Sequence, residues 1–531
     1  MPIHDRLTIA KKSRWPFGGG IRTRKPTMKS LFSQTRLTLA LVLTLALPSI
    51  ALAYDIDEWY VVEMQGQRAG WMRMQETDTT YGLITSSQVH LEIARGAATI
   101  TIDLKGTFTE TYDGQPYEMT SEQSLGATPI KTVYRFSKDK ITATVEQNGQ
   151  STISTLDLIP GDWLTPAAAR RYLVSQLNRH AEVIQYTTID PLNGLIPLHI
   201  KTTVVGPATV EAIGKTLPAI EWKTEESASP GVVTTEYVSD NAAPIRTELE
   251  LGAITMTVVK SERELAQAKI EPTEIMISTF IKPSRAIAAP RSQRSASYLL
   301  SVDEGAIGDI PTTSVQSVER IDDQHVRVTI DADNPKTTDP ESYKDPQFSM
   351  GSAMLNWRDK KVGAVADAAL NKNYKQPKSK IAETLRRYVH NYITEKNLDV
   401  GLASASEVCR TKEGDCTEHA VLLAATLRYM GIPSRVAGGL IYAESFAGRA
   451  RIFGYHMWTQ ALLADDTGAY RWVDLDSTLS DKTPFDATHI ALSLSAMNDD
   501  ETINSMASLA PLLGRVQLEV EHTSADALEK K

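Results

Sequence analysis

The stretch from Cys416 to Met430 carries Ala, Leu and Val on nearly every side of a helix. Gly414-Asp415 ahead of it supplies a turn and an N-cap, and Gly431-Ile432-Pro433 behind it stops it. A helix with so little polar surface is stable only when other elements surround it, so this one must lie at the centre of a domain. Any fold available to the chain has to wrap layers of structure around this segment. Its N-terminal residue is Cys416, where free backbone N–H groups and the helix dipole favour a thiolate.

A cysteine nucleophile needs a base, and the base needs an acid to orient it. Tyr455–Leu463 and Tyr470–Leu475 read as short strands around Asp465-Asp466-Thr467-Gly468, a hairpin with Gly468 in the left-handed position of a three-residue loop. Pairing Ala464 with Gly468 sets His456 opposite Asp476, at the separation of an imidazole–carboxylate hydrogen bond. Asp474 points to the same face, and a loop longer or shorter by one residue moves the partner. Hairpin arithmetic therefore leaves the choice of carboxylate open.

The remainder of the 531 residues is organised differently. Residues 54–265 alternate apolar and polar in short runs, such as Trp59–Met64, Ile141–Glu146 and Ile254–Val259, separated by turn signals such as Asp113-Gly114. That period predicts a meandering antiparallel sheet with one packed face. One helix interrupts it, with Thr165 as N-cap, Pro166 in the first turn and Ala167–Leu177 following. The strand-and-turn texture returns over 192–239, a hint of two related β halves. Residues 266–343 read as a linker, rich in Pro, Ser, Ala and Arg over Pro283–Arg294, and a small β module over Ala296–Ala332. From 344 to 492 the pattern is mixed, with helices predicted over Lys361–Asn371 and Ser379–Glu395, and 493–531 reads as a C-terminal tail. The expected fold class is α+β in several domains, antiparallel β-sheet first and a compact α+β domain after it.

Residues 1–53 read as an address. Met28-Lys29-Ser30 opens a short basic region ending at Arg36, Leu37–Leu47 is apolar, and Ala51-Leu52-Ala53 is a cleavage site, with Met28 as the better start. The apolar run is about half of what a bilayer-spanning helix needs, so an exported product with no membrane span, periplasmic or secreted, is expected. Without this leader the net charge moves from −9 to −17. A body so acidic lacks the electrostatic footprint of a nucleic-acid binder. The two cysteines, Cys409 and Cys416, are too few and too close for a disulfide scaffold.

Gly414-Asp415-Cys416-Thr417-Glu418-His419-Ala420, the helix end Leu427–Val436, His456-Met457-Trp458 and Trp472-Val473-Asp474-Leu475-Asp476-Ser477-Thr478 together resemble the transglutaminase-like superfamily of papain-like cysteine enzymes. The resemblance covers about Asp339–Leu492 and implies Cys416 as nucleophile, His456 as base and Asp476 as the orienting acid. The family's His usually begins a His-x-Trp run, which His456-Met457-Trp458 matches. Its Asp usually follows a Trp by four residues within Asp-Pro-Thr, which selects Asp476, with Ser477 in place of the Pro. Asp486-Ala487-Thr488-His489 resembles a stretch found just after the core in bacterial members, and β domains also precede the core in exported ones.

The other polar and aromatic residues carry plainer expectations. Trp458 and Trp472 read as core aromatics or walls of a substrate cleft, His419 as a residue packed beside the site, and His489 as a loop histidine. Glu418 complements the helix N-terminus. Cys409 reads as a core residue or a redox partner able to silence Cys416. Zn²⁺ on Cys416 and His419 with His456 and Asp476 lacks a Cys-x-x-Cys or His pair to complete a tetrahedral set, so no metal and no cofactor is expected. The Cys416 N–H serves as one oxyanion donor, and Trp357 is a second by residue type alone. The implied function is acyl transfer through a thioester on a peptide or protein substrate, with water (peptidase or amidase) or an amine (transamidase) as acceptor, and with a cell-envelope partner held by the β-rich region. A periplasmic or surface binding protein with a vestigial triad domain is the alternative.

Overall fold

The computed structural model describes residues 56–528 except 97, 126–128, 148, 228–231, 253, 304, 339 and 499–511; the expected leader lies outside the described residues. Among the described residues no helix is long and apolar enough to cross a membrane.

The alternating segments form fourteen antiparallel strands of one large sheet, to which the two-residue strand Thr273–Glu274 adds in parallel beside Gly82–Arg95. The chain enters at its middle with Ile56–Met64 and meanders outward to Gln150–Leu156 at one edge. It then crosses to Val183–Ile189 at the other edge and meanders back to Ile254–Ser261, which pairs with the first strand. The two β halves anticipated from sequence are thus two meanders meeting in the centre. The alternation that predicted them is visible in Gln67–Thr79, where Met72 and Met74 are buried between half-buried neighbours. The crossing helix spans Pro166–Asn178, but Thr165 does not cap it. Its hydroxyl donates to Glu110 Oε1 (2.7 Å), and Glu110 Oε2 accepts the Ala167 N–H (3.1 Å) instead. A carboxylate carried by a neighbouring strand has taken over the cap.

The small β module is larger than expected. Ser295–Ser301, Gln316–Arg320 and His325–Asp331 are joined by Gln517–Thr523 from the supposed C-terminal tail, which pairs with Ser295–Ser301 as an edge strand. Leu518 and Val520 alternate with polar residues there and are buried with Tyr298 and Leu300. Seven residues are too few to announce a strand without a visible partner.

In the last domain four antiparallel strands lie in the order Tyr470–Leu475, Arg449–Ala464, Ser434–Phe446, His489–Ser495. The helix Cys416–Tyr429 packs on them, with Lys360–Leu370, Lys378–Tyr392 and Ala405–Thr411 around it. Val421 to Ala425 are all fully buried, as an almost wholly apolar helix requires. Cys409 is buried in the same core, and both thiols are free.

Candidate active site

The N-terminus of the central helix is held from several sides. Asp415 Oδ1 accepts the Thr417 N–H (2.9 Å), Glu418 Oε2 accepts the Asp415 N–H (2.9 Å), and Glu418 Oε1 accepts the Ala403 N–H (3.0 Å). Glu418 therefore does more than complement the dipole: it completes a capping box and ties down the segment before the Ala405–Thr411 helix. Gly414 is obligatory here. Its φ is +145°, and a Cβ would stand 2.3 Å from the Glu418 side chain. On the far side Asp415 Oδ2 meets Arg95 Nη2 at 2.5 Å, a residue of the large sheet. No sequence signal could have joined residues 320 positions apart.

Cys416 sits half-buried on this platform. Burial, with the Asp415 carboxylate beside it, pushes its thiol well up, opposed by Arg95 and by the Met457 N–H turned toward the sulfur. The thiolate expected from the helix terminus alone is thus outweighed by desolvation, and the resting group is a thiol. The Met457 contact sets the sulfur against the backbone next to His456.

His456 and Asp476 meet as anticipated, Nε2 to Oδ2 at 2.9 Å, but through a different register. Ala464 pairs with Tyr470 rather than Gly468, because the loop closes on Asp465 and Ala469. Gly468 is left-handed as predicted (φ +85°). The slip is of two residues, an even number, so both carboxylates keep their face. Asp476 lies just past the strand and reaches back diagonally. Asp474 is occupied elsewhere, accepting Trp458 Nε1–H (2.8 Å) and Gln460 Nε2–H (2.6 Å).

Asp476 is 1% exposed and fully hydrogen-bonded. Oδ1 accepts the Thr478 N–H and hydroxyl, both at 2.7 Å, and Oδ2 accepts His489 Nε2–H (3.2 Å) besides His456. Burial works against its charge, but His456 and His489 hold it well below the usual carboxylate range. A carboxylate can only accept, so His456 donates from Nε2 and leaves Nδ1 outside this hydrogen bond. Ser477, the departure from the family pattern, donates to the His419 carbonyl (3.0 Å) and ties this turn to the central helix.

His489 is not a loop histidine. It opens the strand His489–Ser495, wholly buried, with Nδ1 on the Asp486 carbonyl (3.1 Å), and Asp486 pairs in turn with Arg291 (2.8 Å). Although burial disfavours its charge, Asp486 and Asp476 raise His489 to about 9, while Asp486, despite burial, is lowered by His489 and Arg291. The Asp486-Ala487-Thr488-His489 motif had singled out this segment, but its contact with Asp476 exists only after folding. Among the described residues, His456, Asp476 and His489 offer metal-ligand atoms within 4.8 Å of one another. In this structure those atoms are engaged with one another as a hydrogen-bonded chain.

This chain contributes a pH dependence to stability. His489 is raised, so its contribution is complete below its ordinary value of 6.5 and is lost as pH climbs through about 9, a loss on the order of 3 kcal/mol. Asp476 and Asp486 are lowered, so theirs holds above the ordinary carboxylate value of 3.8 and fails in acid. Thermal denaturation followed from pH 5 to 9 is expected to show a falling midpoint above pH 6.5; His489→Gln should remove that slope.

His419 Nδ1–H donates to the Asp415 carbonyl (2.6 Å), leaving Nε2 buried with no protein partner among the described residues. Burial lowers this imidazole to about 4, so it is neutral at pH 7 and offers a bare acceptor. Cys416, His419 and His456 all line one cavity of about 690 Å³. Trp458 does not; it stacks on His456 (6.1 Å between rings, 19°), and its own ring is held by Asp474. Trp472 does not line this cavity. It follows the alternation of Asp474 and Asp476 but stands about 13 Å of strand from Asp476, packed on Arg435 and Phe348. Trp357 also lies off the cavity, under Arg358.

No curated protein matches the chain. Among solved structures it is similar to a β-barrel-like protein of domain family DUF1849 from Brucella abortus, at 11% identity over 39% of this chain and 96% of that one (TM-score 0.31). It is also similar to the periplasmic domain of TgpA from Pseudomonas aeruginosa, bound to ethylmercury, at 16% identity over 38% and 88% (TM-score 0.25). A candidate cysteine protease from Cytophaga hutchinsonii is similar at 11% identity over 42% and 83% (TM-score 0.24). The family described as the transglutaminase-like superfamily matches residues 367–477, a span that contains Cys416, His456 and Asp476. Residues 367–477 are thus a transglutaminase-like domain, carried behind a large β-rich region.

Proposed function

We propose that this chain is an exported cysteine acyl-transfer enzyme that acts on carboxamide or peptide carbonyls through a thioester on Cys416. The observation that carries the reading is the buried His456–Asp476 hydrogen bond beside the half-buried thiol, inside a transglutaminase-like domain. His456 Nδ1 takes the thiol proton as the sulfur attacks, and Asp476 stabilises the imidazolium. Because burial holds the thiol protonated, this transfer is coupled to attack rather than completed beforehand. The cap takes the N–H groups of Thr417 and Glu418, leaving that of Cys416 to receive the oxyanion. His456 then returns the proton to the leaving amine, and water or a second amine resolves the thioester. Export is supported by the basic, apolar and Ala-Leu-Ala sequence of residues 29–53.

The test is mass spectrometry of a peptide library containing Gln and amine donors, incubated with wild type and with Cys416→Ala. Cleavage, deamidation and cross-linking give different mass changes, and each must vanish in the variant. In parallel, iodoacetamide is expected to label Cys416 selectively near neutral pH, with the rate falling about 100-fold in His456→Ala, the scale of a lost general base. Equal labelling in both proteins, with no product from the library, would leave a binding protein with an inert triad.

A further inference from the structure

The cavity holding Cys416 is not made by the transglutaminase-like domain alone. One wall is the large β-sheet, and the remaining walls come from the linker and the last domain. Apart from Arg95, the sheet contributes only Met, Leu and Ile side chains, among them Ile93, Ile102, Ile254 and Met256. Phe280 of the linker and Ile452 of the histidine strand continue this surface. Polar groups come mainly from the other walls: Arg95 on Asp415, Asp415 on His419, and Thr478 on the carboxylate that holds His456 lie at the thiol, and Arg291, Lys396, Asn397 and Tyr455 also line the cavity. The cavity thus sets a reactive thiol and its polar neighbours against a wide aliphatic wall supplied by the sheet.

We infer that the acyl donor taken by Cys416 carries a long alkyl chain, lodged against this aliphatic wall with its carbonyl at the thiol. The inference rests on the acyl-transfer reading and names its substrate class, a fatty acyl amide or ester. An extended peptide fits this wall poorly. Each residue brings an N–H and a C=O that need partners, while the strands behind these side chains use their own backbone groups in the sheet ladder. An alkyl chain makes no such demand, and its burial is favourable throughout its length. A volume of about 690 Å³ is that of a site for a small amphipathic molecule. In acylation the sulfur–carbon bond forms, the bond from the carbonyl carbon to the amine or alcohol breaks, and the thiol proton leaves on that group through His456. Water then attacks the thioester, losing its proton to His456, and the fatty acid departs as that proton returns to sulfur.

Two measurements on the mature chain test this. The first is hydrolysis of aminomethylcoumarin amides and nitrophenyl esters with acyl chains from two to twelve carbons. The expected result is kcat/KM rising by up to about fourfold for each added methylene, with the gradient flattened in Ile93→Gln/Ile102→Gln. The second is calorimetric binding of dodecanoate, below its micelle concentration, to Cys416→Ala, whose sheet is unaltered. Dodecanoate is expected to bind at least about 100-fold more tightly than butanoate. Flat kcat/KM across chain lengths with no dodecanoate binding, or tighter binding of an acetylated Leu/Ile/Val peptide than of dodecanoate, overturns the inference. Dodecanoate binding without turnover of any substrate upholds the chamber and removes the acyl-transfer reading; turnover of short chains without dodecanoate binding does the reverse.

Discussion

Cys416→Ala is expected to lower kcat by about 10⁶-fold, and His456→Ala by about as much, with the double variant no worse than either. In the proposed reaction the Cys416 sulfur forms the covalent intermediate and His456, held by Asp476 through Nε2, accepts its proton. Two groups that act in one step are lost together when either is removed, which is why their effects do not add. Cys416 is half-buried at a helix end, so its removal should change stability by no more than about 1 kcal/mol. Steady-state kinetics together with a thermal melt separates the two quantities. Wild-type turnover by Cys416→Ala would take the thiol out of the chemistry, and an unfolded variant would show that the residue is structural.

Asp476→Asn is expected to damage both activity and fold. Its four contacts are all with donors: the Thr478 N–H and hydroxyl on one oxygen, His456 and His489 on the other. An amide must turn its NH₂ toward two of these donors, so either Thr478 or the imidazoles are left opposed. If His456 is reoriented or loses its tautomer, kcat falls by about 10⁴-fold, the scale for replacing a triad aspartate by its amide. The fold should lose about 3–5 kcal/mol at neutral pH, because one side of a buried charged network has been removed. The pH signature identifies the cause. Without the Asp476 charge, His489 keeps only Asp486 to hold it above its ordinary value, so the decline in stability between pH 6.5 and 9 becomes shallower than in wild type. An unchanged alkaline slope would place the effect of Asp476 outside this network.

The three central residues were legible because each is announced locally. Cys416 follows a capping Asp at the head of an apolar helix. His456 lies on one strand and Asp476 just past the end of its neighbour, the two joined by a short loop with a left-handed glycine. Even the wrong loop closure left them on the right face, since a two-residue slip preserves strand alternation. His489 was harder. Its motif stood out, but a histidine at the start of a strand gives no sign of the carboxylate it will meet. The edge strand Gln517–Thr523 was missed for the same reason, as its partner Ser295–Ser301 lies far back along the chain.

What the sequence by itself determined, then, were local matters: a central helix and its cap, the alternation of the large sheet, and the order of Cys416, His456 and Asp476. These follow from hydrogen bonds and side-chain periodicity within a few residues of each position. Only the tertiary structure decided that the thiol rests protonated, that Asp476 is shared by two histidines, and that Arg95 and the aliphatic face of a distant sheet close over the site. Burial sets the first, because desolvation depends on everything packed around a group. Docking of the sheet against the last domain sets the last, because hydrophobic contact is non-directional and leaves no pattern in either segment that names its partner.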